Sequence, residues 1–437
     1  MIPERLSVLH SWCVQADWNA PTVVGGRGAW FWDSDGRRYL DMSSLAECMN
    51  LGHQHPALIR AIREQAESLC FVTAAWGAEP RARLAERLLS LSGYENGRVF
   101  FCLGGADANE NAVKLARKAA GRPRGWVITR ERSYHGATYG AMALSGDART
   151  SHHIDPEDLR VVRVPPPYAY RCPFGSATDA ECGERAARRV GEAIDELGCS
   201  QVAAVLMETD AGTNGIVAPD SYWPLLRQLT RDRGVLLIAD EVMSAFGRCG
   251  EWFAWQRYGE EGRPDLMSLA KGLTASHLPL GAVVLSADVA ATLEHEMLYT
   301  GLTYCGHPLC CAAGLAALAA YEDERLIERS RALGARLIEE LRAMQERVPV
   351  IGDVRGGHGL FAVVELVRDR SLREPIAPWP SRHPSLATFV ARAREHGVSF
   401  ATQGNLIILA PPLVIEEQDL MDALGLMERL LLELEWS

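Results

Sequence analysis

Asp240 and Glu241 close a run of apolar residues, Val235 to Ala239, in "VLLIADEVMSAFGR". Such a run reads as a strand buried on both faces of a parallel sheet. A carboxylate at its carboxyl end is costly without a cationic partner, and open α/β sheets bind ligands at those ends. Lys271 ends a second apolar run, "DLMSLAKGLTAS". Lysines are seldom buried without cause, although a surface lysine laying its stem over apolar neighbours would read the same. Gly104 and Gly105 stand between a strand and an amphipathic helix in "FFCLGGADANENAVKLAR". Glycine lets a ligand approach the backbone, and the free N–H groups of a helix start favour an anion such as phosphate. A plain strand-to-helix turn is the alternative, and the glycine spacings of dinucleotide and Walker loops are missing. Tyr134 and His135 follow the strand "GWVITR". An aromatic there could stack on a planar ligand or simply fill core.

Each signal alone is ordinary. Four of them near strand ends of one parallel sheet could converge on one crevice. A phosphate cup, a stacking ring, a carboxylate and a lysine describe a pyridoxal phosphate site. Lys271 would form the Schiff base. Asp240 would face the pyridine nitrogen and keep it protonated, so that the ring can accept electrons. Val242 could pack against the ring face opposite Tyr134.

The elements that must position these residues follow from the chain. Its 437 residues are too many for one compact core, so two domains, or a large one and a smaller one, are expected. Aromatic alternation around Asp35-Gly36 reads as a hairpin, and "HPALIRAIREQAESL" as a helix. From about residue 80, strands and helices alternate, as a mostly parallel sheet covered on both faces requires. After about residue 305, "PLCCAAGLAALAAYEDERLIERSRALGARLIEELRAM" reads as one long helix. "VRGGHGLFAVVEL" and "NLIILA" then read as strands, and "VRDRSLREPIAPWPSRHPS" as a surface loop. "EEQDLMDALGLMERLLLELEW" reads as a terminal helix, and the N-terminal hairpin is expected to pack with this C-terminal part. Residues 1–70 and 316–437 would form the small domain and 71–315 the cofactor-binding one.

The net charge of −11 argues against nucleic-acid or anionic-membrane partners. No apolar stretch is long enough to span a bilayer, and "MIPERLSVLHSW" lacks a secretory core, so a cytoplasmic location is expected. Eleven cysteines without CxxC spacing suggest reduced thiols rather than a metal site.

The motifs "GHQHP", "GGADANENAVK", "YHGA", "ADEVMSAFGR", "LAKGLT", "GLTYCGHPLCCAA" and "APPLVI" resemble the class III, or ω-, aminotransferases of fold type I, over nearly the whole chain. "YRCPFG", "GTNG" and "TYCGHP" look closest to the taurine–pyruvate aminotransferase-like branch. The resemblance implies a large domain with a mostly parallel seven-stranded sheet and a small α+β domain. It implies that Lys271 carries the cofactor and shuttles the proton, and that Asp240 pairs with the ring nitrogen. Tyr134 would stack, Gly105 and Ala106 would hold the phosphate, and His135, Glu208 and Val242 would add cofactor contacts. Thr303 would reach the phosphate of a neighbouring subunit, making a homodimer obligatory.

The departures bear on substrate. Thr209, Ala245, Cys249, Asp107 and Ala106 replace residues usual in the family, and Thr213 stands where glutamate-type relatives carry a gating glutamate. The arginine that many relatives place before the late Pro-Pro-Leu is missing, and Ala401 or Gln403 occupies its region. Pyruvate or an aldehyde is therefore expected to outperform 2-oxoglutarate. Trp76 is expected to line the pocket. Glu47 either faces that pocket or is a solvated loop carboxylate. The reading is transamination between a primary amine and a keto acid or aldehyde. An aminomutase or decarboxylating transaminase is the alternative, and an inactive binding protein of this fold the alternative from another class.

Overall fold

The computed structural model describes residues 4, 7–150 and 159–436. Strands β1 (Val23–Arg27), β2 (Trp30–Asp33) and β3 (Arg38–Asp41) form an antiparallel meander, with Asp35 and Gly36 in the second turn. One distorted turn, α1 (Ser44–Glu47), follows, then α2 (Pro56–Ser68) and α3 (Glu79–Ser92). Proline stands in the first turn of both longer helices, where its missing N–H costs nothing.

The central portion alternates strand and helix. It contains β4 (Arg98–Cys102), α4 (Gly105–Ala119), β5 (Trp126–Arg130), α5 (Tyr139–Leu144) and β6 (Val161–Val164). Then come α6 (Asp179–Leu197), β7 (Val202–Glu208), α7 (Tyr222–Asp232), β8 (Leu236–Asp240), β9 (Leu266–Leu269), β10 (Gly281–Leu285) and α8 (Ala287–Leu293). These seven strands form one sheet in the order β4-β10-β9-β8-β7-β5-β6. Only β10 runs against its neighbours. The carboxyl ends of the other strands therefore share one edge. Every residue of β7, β9 and β10 is buried, which explains why they are apolar but for Glu208 and Ser268. Helix α4 lies across five of the strands.

The stretch that reads as one long helix is two: α9 (Pro308–Asp323) and α10 (Leu326–Arg347). Arg325 takes a left-handed conformation, φ 51°, and breaks the helix. Periodicity continues across such a break because one residue suffices to turn the axis. Likewise "VRGGHGLFAVVEL" spans two strands, β11 (Ile351–Gly356) and β12 (Ala362–Asp369), which pair antiparallel. Gly356 and Gly357, both at positive φ, begin the reversal. The loop after β12 contains β13 (Glu374–Pro375), and its Ile376 is buried rather than superficial.

The remainder is α11 (Pro384–Glu395), β14 (Val398–Ser399), β15 (Ala401–Gln403), β16 (Leu406–Leu409) and α12 (Glu417–Glu433). β14 pairs parallel with β3, joining the N-terminal meander to the C-terminal part. β16 lies between β12 and β15. All eleven cysteines are free thiols, with Cys310 and Cys311 buried in α9. Among the described residues no helix is long and apolar enough to cross a membrane.

Candidate active site

The shared edge of carboxyl ends opens into a cavity of about 420 Å³. Its walls include Gly105, Ala106, Tyr134, His135, Glu208, Asp240, Val242 and Lys271. The strand register sets much of this: Glu208 pairs with Asp240 across β7 and β8, and Asp240 with Ser268 across β8 and β9. Lys271 sits two residues beyond β9, at φ 43°.

The two adjacent carboxylates take opposite directions. Asp240 turns toward the cavity and accepts hydrogen bonds from the Asn109 amide (2.7 Å), His135 Nδ1 (2.7 Å) and the Val242 N–H (3.0 Å). A carboxylate can only accept, so His135 carries its proton on Nδ1. Glu241 turns into the core. It accepts from Thr209 Oγ1 (2.9 Å), Ala254 N (3.0 Å), Trp255 N (2.9 Å) and the Ser244 hydroxyl. Thr209, one of the departures from the family pattern, thus anchors a buried acid.

The start of α4 leaves its first N–H groups without partners in the helix. Added side-chain bulk at Gly104 would meet only open space, whereas at Gly105 it would strike Val242 at 2.9 Å. Gly136 packs so closely on Ala106 that an added Cβ would lie 2.4 Å from the Ala106 Cβ. Asp107 accepts from the Leu103 N–H (2.9 Å) and ties the turn to the strand before it. The Tyr134 ring lies 6.1 Å from that of Trp12 and 5.6 Å from the Arg149 guanidinium, which Asp147 holds at 2.9 Å. Glu208 pairs with the buried Arg130 at 2.6 Å. Burial still lifts its acid above the ordinary range, against the pull of Arg130 and His135. Asp210 pairs with Arg257 at 2.5 Å; burial favours its neutral form, but Arg257 prevails and holds it below the ordinary range.

Glu47 is the largest surprise. It is only 9% exposed, and its Oε2 accepts a 2.9 Å hydrogen bond from Lys271 Nζ. Burial alone would lower the lysine's affinity for its proton, but Glu47 outweighs that and raises it. Glu47 is thus no solvated loop carboxylate.

Other expected residues are not brought to this cavity. Trp76 is 70% exposed, and the stretch before α3 packs on Tyr304 and His307 through Phe71. Thr303 is exposed on the same side of the chain, in a segment held through Thr300 by Lys114 and Asn111. Ala401 is half-buried on the apolar cluster that contains Met243, behind the cavity wall, and Gln403 lies at the end of the same short strand. Among the described residues no arginine lines the cavity. Asn109, Arg130, Asp210 and Arg257 escaped the sequence reading. Only Asn109 carried a signal, standing four residues after Gly105 on the same face of a helix.

A helix start with glycines, a lysine, a carboxylate held by neutral donors and a flanking tyrosine fit pyridoxal phosphate. Known proteins agree. The aminotransferase class-III family model matches residues 15–431. The leucine/methionine racemase of Thermococcus litoralis is 35% identical, with 95% of this chain and 92% of that protein covered. The putrescine–pyruvate aminotransferase of Pseudomonas aeruginosa is 31% identical, covering 94% and 90%. The structure of a taurine:2-oxoglutarate aminotransferase from Bifidobacterium kashiwanohense, in complex with PLP and glutamate, superposes with a TM-score of 0.92. It is 35% identical and covers 98% of this chain and 96% of its own.

Proposed function

The chain belongs to the class-III aminotransferases, a family dependent on pyridoxal phosphate, and from that premise we propose that it moves the amino group of a primary amine to pyruvate or an aldehyde. The donor is oxidised to its aldehyde or ketone and the acceptor is reduced to the amine, so electrons and nitrogen balance across two half-reactions. The observation that carries the reading is the approach of Lys271 and Asp240, from neighbouring strand ends, to one cavity floored by the start of α4.

When bound, the cofactor supplies an electron sink for the bond broken at the donor carbon. The chain's residues do the rest. Lys271 would hold the cofactor through Nζ, and the same Nζ, when free, would take up and return the proton as base and then acid. Asp240 would keep the ring nitrogen protonated; Asn109 and His135 fix its carboxylate in place. Tyr134 and Val242 would flank the ring, and Gly105 and Ala106 would offer backbone N–H groups to the phosphate. His135 and Glu208 complete the wall.

Pyruvate is favoured over 2-oxoglutarate because a second carboxylate in this cavity would find no arginine fork among the described residues to pair with. A homodimer with shared sites is supported by the surface around Thr303, where Trp76, Met297, Tyr299, Leu302 and Tyr304 are all exposed. The similarity to an amino-acid racemase favours a second reading, in which the proton returns to the same carbon. The cofactor assignment is tested by reducing the loaded protein with borohydride and mapping the labelled peptide. Label on Lys271 is expected; label on another lysine, or none, would overturn it.

A further inference from the structure

We propose that Glu47 selects the donor: its carboxylate receives a second ammonium group, so that the preferred donor is a diamine. The inference rests on the transaminase reading above and deepens it.

The argument is a balance of charges. Four carboxylates stand in or beside the cavity, and each has a cation or proton donor. Glu208 has Arg130, Asp210 has Arg257, Asp240 has His135, and Glu47 has Lys271. Three of these partners play no covalent part. Lys271 does: loading the cofactor engages its amine, and proton transfer then needs that amine uncharged. Glu47 alone loses its ammonium during the reaction. A buried carboxylate without a partner is costly. Its charge is relieved either by a proton or by a cation on the substrate; no arginine or second lysine lines the cavity among the described residues, and the buried Arg248, whose charge bears on Glu47, is committed to Ser44, Asn50 and two carbonyls.

Glu47 cannot easily swing away. Ser44, Leu45 and Glu47 all hold positive φ, of 48°, 58° and 52°. Asp41 grips the turn through the N–H groups of Ser43 (3.1 Å) and Leu45 (3.0 Å). The fully buried Arg248 donates to Ser44 Oγ and Asn50 Oδ1, both at 3.0 Å, and to the carbonyls of Leu360 and Pro411. Such strain persists only where the surroundings enforce it. The result aims Oε2 at the wall formed by Gly212 and Met243; a Cβ on Gly212 would lie 3.6 Å from it.

The test uses the cofactor-loaded protein and its Glu47→Gln and Glu47→Asp variants. Single-turnover kcat/KM is compared for a four-carbon diamine, butylamine and taurine. The diamine-to-butylamine ratio should exceed one in the wild type and fall about tenfold or more in Glu47→Gln. Glu47→Asp should keep part of the preference. A ratio at or below one, or one unchanged by Glu47→Gln, overturns the proposal, as does taurine being the best donor. Failure of every donor would instead count against transamination itself.

A second readout needs no turnover. Cofactor-free protein is mixed with pyridoxal phosphate across pH, and attachment is trapped on Lys271. Removing the Glu47 charge frees the neutral amine at lower pH, so the uptake profile of Glu47→Gln should shift downward. Cys48, Asp240 and Tyr134, the other titratable groups that bear on Lys271, stay unchanged in that comparison. An unmoved profile would show that Glu47 does not govern the lysine. Uptake by the variants also confirms that they fold.

Discussion

Asp240 and Glu241 show how far adjacent residues of one charge can diverge. Strand alternation sends the first to the ligand edge and the second into the core. The apolar run before them announced a buried charge, but nothing in it distinguished a cavity-facing carboxylate from a structural one. Asp240 was legible because its strand had to end in a crevice. The four donors around Glu241 come from positions up to 32 residues away, which no local pattern reveals. Glu47 was half legible: its type and loop were plain, but its contact with Lys271 spans 224 residues and depends on the strained turn. At this scale the prediction concerns Asp240→Asn. An amide cannot hold a pyridine nitrogen protonated, so the variant should still take up cofactor while its proton-abstraction rate falls about a hundredfold or more. Stopped-flow absorbance with saturating donor measures this; near-normal turnover would remove Asp240 from its assigned role.

At the scale of elements, strands were easier to read than breaks. β7, β8 and β9 are apolar but for Glu208, Asp240 and Ser268, and their order brings the site together. The break at Arg325 escaped detection because helical periodicity resumes at once beyond it. Helix α6 was missed although Ala186, Val190 and Ile194 keep a regular buried spacing. Its glycines weaken the pattern, and Gly183 is there because a Cβ would strike Ser221 at 2.4 Å. The same close approach governs the packing of Gly136 on the start of α4. Gly136 stands at φ 132° with Ala106 against it. Gly136→Ala should displace the first turn of α4 and weaken cofactor affinity about tenfold or more, through both strain and contact. Equilibrium titration of the cofactor-free variant with pyridoxal phosphate measures the loss, and unchanged affinity would mean that the α4 start does not bear on the phosphate.

For the whole molecule, the parallel sheet and the composition of an acidic enzyme could be read from the chain, but the placement of Thr303 and Trp76 could not. Both lie on the surface of their own chain, with Tyr299 92% exposed beside them. If that surface meets a second copy, each site needs residues from both chains. Mixing Lys271→Ala chains with Thr303→Ala chains should then restore partial activity, because one site of each heterodimer holds both residues. No recovery on mixing, or a fully active monomer by sedimentation, would contradict this. The central claim is that nitrogen passes from an amine through this site to a keto acid. It is tested most directly by loading the protein with pyridoxal phosphate and adding a diamine labelled with heavy nitrogen, then pyruvate or 2-oxoglutarate in parallel. Mass spectrometry should find the label in alanine, faster than in glutamate, with one equivalent of aldehyde formed per nitrogen moved. Inversion of an amino acid's configuration without any transfer of label would contradict the account and favour the racemase reading.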